Sequence, residues 1–270
     1  MNSQNRFYII TGKGGVGKTL ASFALTNALI QKGIKAKYLV FKSNKLENKR
    51  SDHTQAQFDL PIIELDLLDC ATEYVARKMK SETIAKWVVK TPFFKALINM
   101  LPGFSYLIYL GKTIDLLQKD PELVLVLDSP SSGHALTMLE STVNYQEIFQ
   151  SGSLFEDTQK VINKLYEESF TKALIITLPT QMALNESRDL KEEIHKIKPI
   201  ETEIICNNVM SQIKDLNIDN LPKILKNKIA NEKEVISQFS DLLDHSLTYI
   251  SENQSQDIMQ AMSKEMEQYL

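Results

Sequence analysis

The chain has 270 residues, with 43% hydrophobic and 24% charged residues, a composition typical of a soluble globular protein. Its formal net charge of −3 provides no general attraction for polyanions, so nucleic acid is not an expected partner. Cys70 and Cys206 lie far apart without CxxC spacing, which excludes a readable disulfide framework or a cysteine-built zinc site and favours a reducing, cytoplasmic location.

The first predicted element is a short buried strand that leads into a glycine-rich loop. Phe7 to Thr11 (FYIIT) is apolar and rich in β-favouring residues, as a buried parallel strand would be. After the loop, apolar residues recur at helical spacing until Gly33, a residue type that often ends a helix. Lys37 to Phe41 (KYLVF) then predicts a second strand.

A polar segment and a helical insertion follow this second strand. Ser43 to Gln57 has no apolar period and predicts a loop, at the place where a nucleotide-sensing switch would lie. Leu60 to Leu65 has an extended pattern, and residues from about 69 to 118 have helical periodicity. We therefore expect one domain, residues 1–270, that contains a helical insertion.

One apolar stretch in the insertion, Phe93 to Leu110, approaches the length of a membrane span. Lys95, Asn99 and the Pro102-Gly103 pair interrupt it, and each half is too short to cross a bilayer. No stable membrane insertion is expected from this segment.

Later aliphatic runs complete the predicted sheet. They are Leu123 to Leu127, Ala173 to Leu178 and Glu203 to Cys206. Helical stretches separate them, and Ile258 to Leu270 has the spacing of a final docked helix. Strands that alternate with helices predict an α/β fold, in which a mostly parallel sheet is covered by helices on both faces and binds ligands at the carboxyl ends of its strands.

The glycine loop between the first strand and helix fits the phosphate-binding pattern GxxxxGK[ST]. Gly12, Gly17, Lys18 and Thr19 occupy the defined positions, in the strand-to-helix context that the mechanism requires. Glycines allow backbone N–H groups to surround phosphate oxygens at a helix N-terminus. Lys18 is expected to reach the β and γ phosphates, and Thr19 to offer its hydroxyl to Mg²⁺. The pattern predicts a P-loop NTPase that uses ATP or ADP with Mg²⁺.

Asp128 closes the aliphatic run Leu123 to Leu127. A second Mg²⁺ carboxylate of a P-loop site belongs at such a strand end, because this hard cation prefers oxygen ligands. Thr19 and Asp128 are therefore the candidate metal residues.

An additional lysine gives the loop a family resemblance. With Lys13 it reads KGGVGKT, which resembles the deviant P-loop of the ParA/MinD, nitrogenase iron protein and ArsA/Get groups. The resemblance implies a homodimer in which Lys13 reaches the partner's nucleotide, so that Lys13, Lys18 and Asp128 become the candidate catalytic residues. The ATP-binding residues that it implies are Gly12, Lys13, Gly14, Gly15, Val16, Gly17, Lys18, Thr19, Leu20 and Asn207.

Further segments resemble the ArsA/Get group, which comprises the arsenite-pump ATPase and the ATPase that targets tail-anchored membrane proteins. Asp128 to Leu136 (DSPSSGHAL) is similar to its switch II pattern. The switch II residues implied are Ser129, Pro130, Gly133 and His134, with His134 as a candidate conformational relay. Looser similarities occur at Glu64 to Tyr74, Leu101 to Leu107, Asn185 to Leu190 and Ile204 to Val209. The last of these places Asn207 against adenine.

The sequence departs from that family at switch I, where the family has an Asp after the second strand. The residues here are Phe41, Lys42, Ser43 and Asn44. Glu47 and Asp52 are the nearby carboxylates that could substitute. Two functions therefore stay open: a homodimeric ATPase that acts on a protein client, with the insertion as a candidate client site, and a hydrolysis-poor, nucleotide-gated scaffold.

Other functions of related proteins fit the sequence less well. Arsenite needs several neighbouring thiolates, and a bridging iron–sulfur cluster needs cysteines beside switch II; Cys70 and Cys206 supply neither. Positioning on DNA or membrane, as in the ParA/MinD group, calls for a basic surface that the sequence lacks.

Overall fold

A single seven-stranded sheet organises the part of the chain that this computed structural model describes, namely residues 5–42, 59–130, 132–214, 216–252 and 255–270. All strand pairs among these residues are parallel. The strands are β1 Phe7–Thr11, β2 Ala36–Phe41, β3 Ile62–Leu65, β4 Val124–Asp128, β5 Thr171–Thr177, β6 Glu201–Val209 and β7 His245–Thr248. The predicted α/β fold is confirmed, and β7 is a strand that the sequence pattern did not reveal.

The strand order is β3-β2-β4-β1-β5-β6-β7, which places β1 near the middle of the sheet. The chain builds outward from β1 in both directions, so the crevice expected at a change of direction lies at its carboxyl end. There β1 pairs with β4 and β5 in a register that sets Ile10 opposite Asp128 and Thr11 opposite Ile175. The glycine loop and Asp128 therefore emerge side by side.

Ten α-helices flank the sheet in the described residues. They are α1 Lys18–Gln31, α2 Leu67–Met79, α3 Glu82–Lys90, α4 Pro92–Met100, α5 Phe104–Lys119, α6 Ser132–Phe149, α7 Ser153–Leu165, α8 Gln181–Ile197, α9 Lys223–Gln238 and α10 Ser255–Met266. Successive residues of β1 face opposite sides. Phe7 and Ile9 join a core that includes residues of α5 to α8, and Tyr8 and Ile10 join one that includes α1 and α10.

Four helices, α2 to α5, lie between β3 and β4, where the sequence analysis places the helical insertion. Side-chain caps begin three of them: Asp66 accepts from backbone N–H groups of α2, Ser81 of α3 and Thr91 of α4. Gly103 precedes α5 with a φ of 79°, so the predicted Pro-Gly break separates α4 from α5. No single described helix is long and apolar enough to span a membrane; α4 and α5 meet that criterion only as a pair, bent by 98°.

The final helix packs against α1, as the docked-helix interpretation predicted. Met259, Met262 and Met266 of α10 are buried in the same core as α1. The Ser263 hydroxyl donates to the carbonyl of Ala24 at 2.8 Å and thereby fixes α10 against α1. The polar segment from Ser43 to Gln57, including Asn44, Glu47 and Asp52, lies outside the described residues.

Candidate functional site

The glycine loop turns tightly between β1 and α1 because three of its glycines have positive φ. The φ values are 137° at Gly12, 83° at Gly15 and 98° at Gly17, a region that side chains disfavour. A Cβ on Gly12 would overlap the backbone carbonyl oxygen of Ile176 in β5. Gly17 is the N-cap of α1, a helix with no acidic residue in its first turn. The loop therefore presents a helix N-terminus suited to an anion.

The two loop lysines have different partners. The Lys18 ammonium donates to the Lys13 carbonyl at 2.9 Å, across the turn of the loop. The Lys13 ammonium instead lies 2.6 Å from a carboxylate oxygen of Glu186, near the start of α8. Both side chains of this ion pair are about half exposed, at 50% and 43%. In this structure Lys13 thus folds back onto its own chain.

The candidate metal residues are in direct contact. The Thr19 hydroxyl donates to Oδ2 of Asp128 at 2.7 Å, which joins the first turn of α1 to the end of β4. Tyr38 of β2 donates to the same oxygen at 2.9 Å. Burial raises the pKa of the Tyr38 hydroxyl far above its ordinary value, and the Asp128 charge raises it further, so this group remains a donor.

These donors are hard oxygen atoms at the mouth of a phosphate loop, so their chemistry fits Mg²⁺. Thr19 and Asp128 are the residues that would hold the ion, directly or through its waters. When bound, Mg²⁺ would neutralise charge on the nucleotide phosphates. The Thr19–Asp128 hydrogen bond shows that the chain brings both residues together through its own contacts.

Asn207 lies under the glycine loop near the end of β6 and is 2% exposed. Its amide nitrogen donates to the Val16 carbonyl at 2.9 Å, and its amide oxygen accepts from the Asn208 backbone N–H at 2.9 Å. A Cβ on Gly17 would lie 2.5 Å from the same amide nitrogen. Asn207 therefore supports the loop, and the adenine contact implied by the resemblance stays a prediction.

The remaining loop residues differ in their burial. Gly14 is exposed, Val16 is buried in the core beside α1, and Leu20 is partly buried against that core. No described atom lies within 4 Å of a Cβ built on Gly14 or Gly15, so this side of the loop is open.

The predicted switch II segment forms one backbone hydrogen bond with β1 and one with the glycine loop. Ser129 is buried, and its backbone N–H donates to the Ile10 carbonyl at 3.1 Å. Beyond Pro130, the Ser132 N–H that opens α6 donates to the Gly12 carbonyl, also at 3.1 Å. Displacement of the loop would therefore pull on α6. The structure places Gly133 and His134 on the exposed part of the first turn of α6.

A cavity of about 320 Å³ adjoins the glycine loop on the side of α6 and α8. Gly12 and Lys13 form one wall, Ser132 and Gly133 a second. The third wall, from α8, carries three acidic residues, Glu186, Asp189 and Glu193. Lys13 thus stands at a rim where negative charge accumulates, which explains why it pairs with Glu186 in the isolated chain.

The sequence is similar to that of a known protein family. The sequence pattern of the anion-transporting ATPase family matches residues 5–151, more than half of the chain. The chain belongs to the anion-transporting ATPase family. It is also 27% identical over 207 residues to the "Putative arsenical pump-driving ATPase 2" of Aquifex aeolicus (strain VF5), a match that covers 72% of this chain. The chain spans 66% of that relative, just under two thirds of its length.

Membership of the anion-transporting ATPase family confirms the resemblance that the loop and the switch II segment indicated. Sequence reasoning missed Tyr38 and Glu186, which contact Asp128 and Lys13. Tyr38 carries no pattern of its own within an aliphatic strand. Glu186 lies in the segment Asn185 to Leu190, whose loose family similarity assigns it no role. Only the packing of β2 against β4, and of α8 against the loop, brings them to the site.

Proposed function

We propose that this chain binds Mg-ATP, probes its γ-phosphate through switch II and hydrolyses it as a nucleotide-gated homodimer that drives a conformational change on a protein client. The observation that carries the proposal is the Thr19–Asp128 contact of 2.7 Å at the mouth of the glycine loop. It supports Mg-ATP binding because the hydroxyl and carboxylate that such a loop needs are adjacent. The family supports ATP hydrolysis in general terms.

The position of Lys13 supports the homodimer part of the proposal. Its side chain is half exposed, and it forms an ion pair with the similarly exposed carboxylate of Glu186. Exposed ion pairs contribute about 0–1 kcal/mol, so a partner's nucleotide phosphates can compete for this ammonium. A charge supplied in trans can raise phosphoryl-transfer rates by about 10³-fold or more.

Analytical ultracentrifugation tests this dimer with wild-type and Lys13→Ala chains, each with Mg²⁺ and a non-hydrolysable ATP analogue. We expect dimers for the wild type with nucleotide, and mainly monomers for Lys13→Ala at the same concentration. Lys191→Ala is a matched control, because Lys191 of α8 pairs with Asp244, just before β7, and has no predicted nucleotide contact. Equal dimerisation of wild type and Lys13→Ala would remove Lys13 from the mechanism.

The insertion is the proposed client site because it exposes large apolar side chains. Trp87 of α3 is 71% exposed, and Phe93 and Met100 of α4 are both 77% exposed. Exposed apolar side chains would favour an apolar partner, so the proposed client presents an apolar segment. Trp87 is the single tryptophan of the chain, and its emission should shift to the blue when an apolar model peptide binds. An unshifted spectrum at saturating peptide would count against the insertion.

The second candidate is a hydrolysis-poor, nucleotide-gated scaffold, favoured by the missing switch I carboxylate. Strand β2 ends at Phe41, and the next residue, Lys42, forms an ion pair with Glu64 at 3.4 Å. Tight Mg-ATP binding without turnover above a Lys18→Ala blank would select this candidate. Arsenite is not part of either proposal, since Cys70 and Cys206 are both buried and lie on different elements, α2 and β6.

A further inference from the structure

Tyr38 is a buried residue of β2 whose hydroxyl reaches the candidate metal site. It is 1% exposed, and it donates at 2.9 Å to Oδ2 of Asp128. The same oxygen accepts from Thr19 at 2.7 Å. One carboxylate oxygen thus holds together three elements: β2, β4 and α1.

The fold fixes both ends of the Tyr38 side chain. In the β2–β4 register Tyr38 lies opposite Val126, and Asp128 follows two residues later on the same face of β4. The Tyr38 ring stacks on Phe23 with 4.3 Å between ring centroids and 13° between planes. Phe23 is buried and lies one helical turn after Thr19 on α1. The hydroxyl therefore has little freedom to choose another acceptor.

We propose that Tyr38 is a positioning residue of the metal site, which holds the Asp128 carboxylate in the orientation that faces Thr19 and thereby raises the affinity for Mg²⁺. The inference rests on the proposed Mg-ATP function and extends it to a residue outside the glycine loop and switch II. Hydrogen bonds from surrounding residues commonly orient metal-binding carboxylates, and their loss weakens metal affinity by about 10–100-fold.

A buried tyrosine hydroxyl also needs an acceptor for purely structural reasons, and Tyr145 shows such a case in the same chain. Tyr145 is 2% exposed and stacks on Phe149 with centroids 5.5 Å apart. Its hydroxyl donates at 2.8 Å to the backbone carbonyl of Pro102, away from the glycine loop. Tyr38→Phe and Tyr145→Phe therefore remove equivalent buried hydroxyls, of which only the first contacts Asp128.

The test measures the binding of a fluorescent, non-hydrolysable ATP analogue during a Mg²⁺ titration of the full chain. For Tyr38→Phe we expect the half-saturating Mg²⁺ concentration to rise about tenfold, with analogue affinity in EDTA unchanged. Tyr145→Phe should leave both values unchanged. Circular dichroism melting of each variant controls for a loss of folding.

A double variant shows whether Tyr38 acts through Asp128. In an Asp128→Asn background, Tyr38→Phe should produce no further change in the Mg²⁺ dependence, because the carboxylate that it positions is gone. An unchanged Mg²⁺ dependence for Tyr38→Phe alone, or equal shifts in the Tyr38 and Tyr145 variants, would overturn the inference. Mg²⁺-independent binding by the wild type would instead overturn the proposed function, and the inference with it.

Discussion

Replacement of Glu186 by Gln should strengthen ATP-dependent dimerisation while barely changing stability. The carboxylate of Glu186 holds the Lys13 ammonium at 2.6 Å in the isolated chain. If Lys13 must leave this partner to reach the nucleotide of a second subunit, then the ion pair opposes association. Neutralising Glu186 keeps the size of the side chain but removes the charge that competes with the nucleotide.

The magnitude follows from the exposure of the pair. Because its side chains are 50% and 43% exposed, solvent screening limits the ion pair to roughly 0.5 kcal/mol, within the usual range for surface pairs. The free energy of unfolding should therefore fall by less than about 1 kcal/mol. Each dimer releases two such lysines, and a total of about 1 kcal/mol corresponds to a dimer dissociation constant roughly fivefold lower.

A dilution series of labelled protein, followed by fluorescence anisotropy with Mg²⁺ and a non-hydrolysable ATP analogue, measures this constant. Asp120→Asn is the matched control, because the Lys35–Asp120 pair has the same 2.6 Å separation and exposures of 54% and 32%, but lies away from the loop. Weaker or unchanged dimerisation of Glu186→Gln would refute the reasoning. So would tightening that persists without nucleotide or in a Lys13→Ala background.

Three further predictions concern Gly12, Asn207 and the thiol of Cys206. Gly12→Ala should lower the free energy of unfolding by about 1–3 kcal/mol or more in a denaturant titration, since its φ of 137° and the adjacent carbonyl exclude a Cβ. Gly14→Ala is the control, because a Cβ there meets open space; equal stability of the two variants would contradict the prediction. Asn207→Ala should lose about 1–3 kcal/mol, because the Val16 carbonyl loses its buried donor; a melting curve that matches the wild type would exclude this support. Burial raises the pKa of Cys206 to about 12, so at pH 8 roughly 10⁻⁴ of it is thiolate and a disulfide reagent should react only slowly until the chain is unfolded; rapid labelling of the native thiol would contradict that burial.

Much of the fold was predictable because local sequence and long-range packing agree in it. The aliphatic run before Asp128 is a fully buried strand, and such strands need apolar residues on both faces. The glycine loop was predictable for the same reason, since its backbone conformation admits few residue types. Strand β7 was not, because His245–Thr248 is short and partly polar and exists only through its pairing with β6.

The candidate site was predictable where a residue type is required by backbone geometry or metal chemistry, as at Gly17, Thr19 and Asp128. Contacts made by side chains that come from elements distant in sequence were not predictable. Tyr38 reaches Asp128 through the β2–β4 register, and Glu186 reaches Lys13 through the packing of α8. Neither partner has a sequence spacing that the chemistry fixes, so only the three-dimensional fold reveals them.

The central claim is that ATP turnover requires two subunits, and it is tested most directly by the steady-state rate of Mg-ATP hydrolysis per subunit as protein concentration increases. Lys18→Ala supplies the blank, because it removes the ammonium that is expected to contact the β and γ phosphates. The account predicts a rate per subunit that rises with concentration and then reaches a plateau as dimers fill. A rate above the blank that is independent of concentration, from a chain that sediments as a monomer throughout, would contradict it.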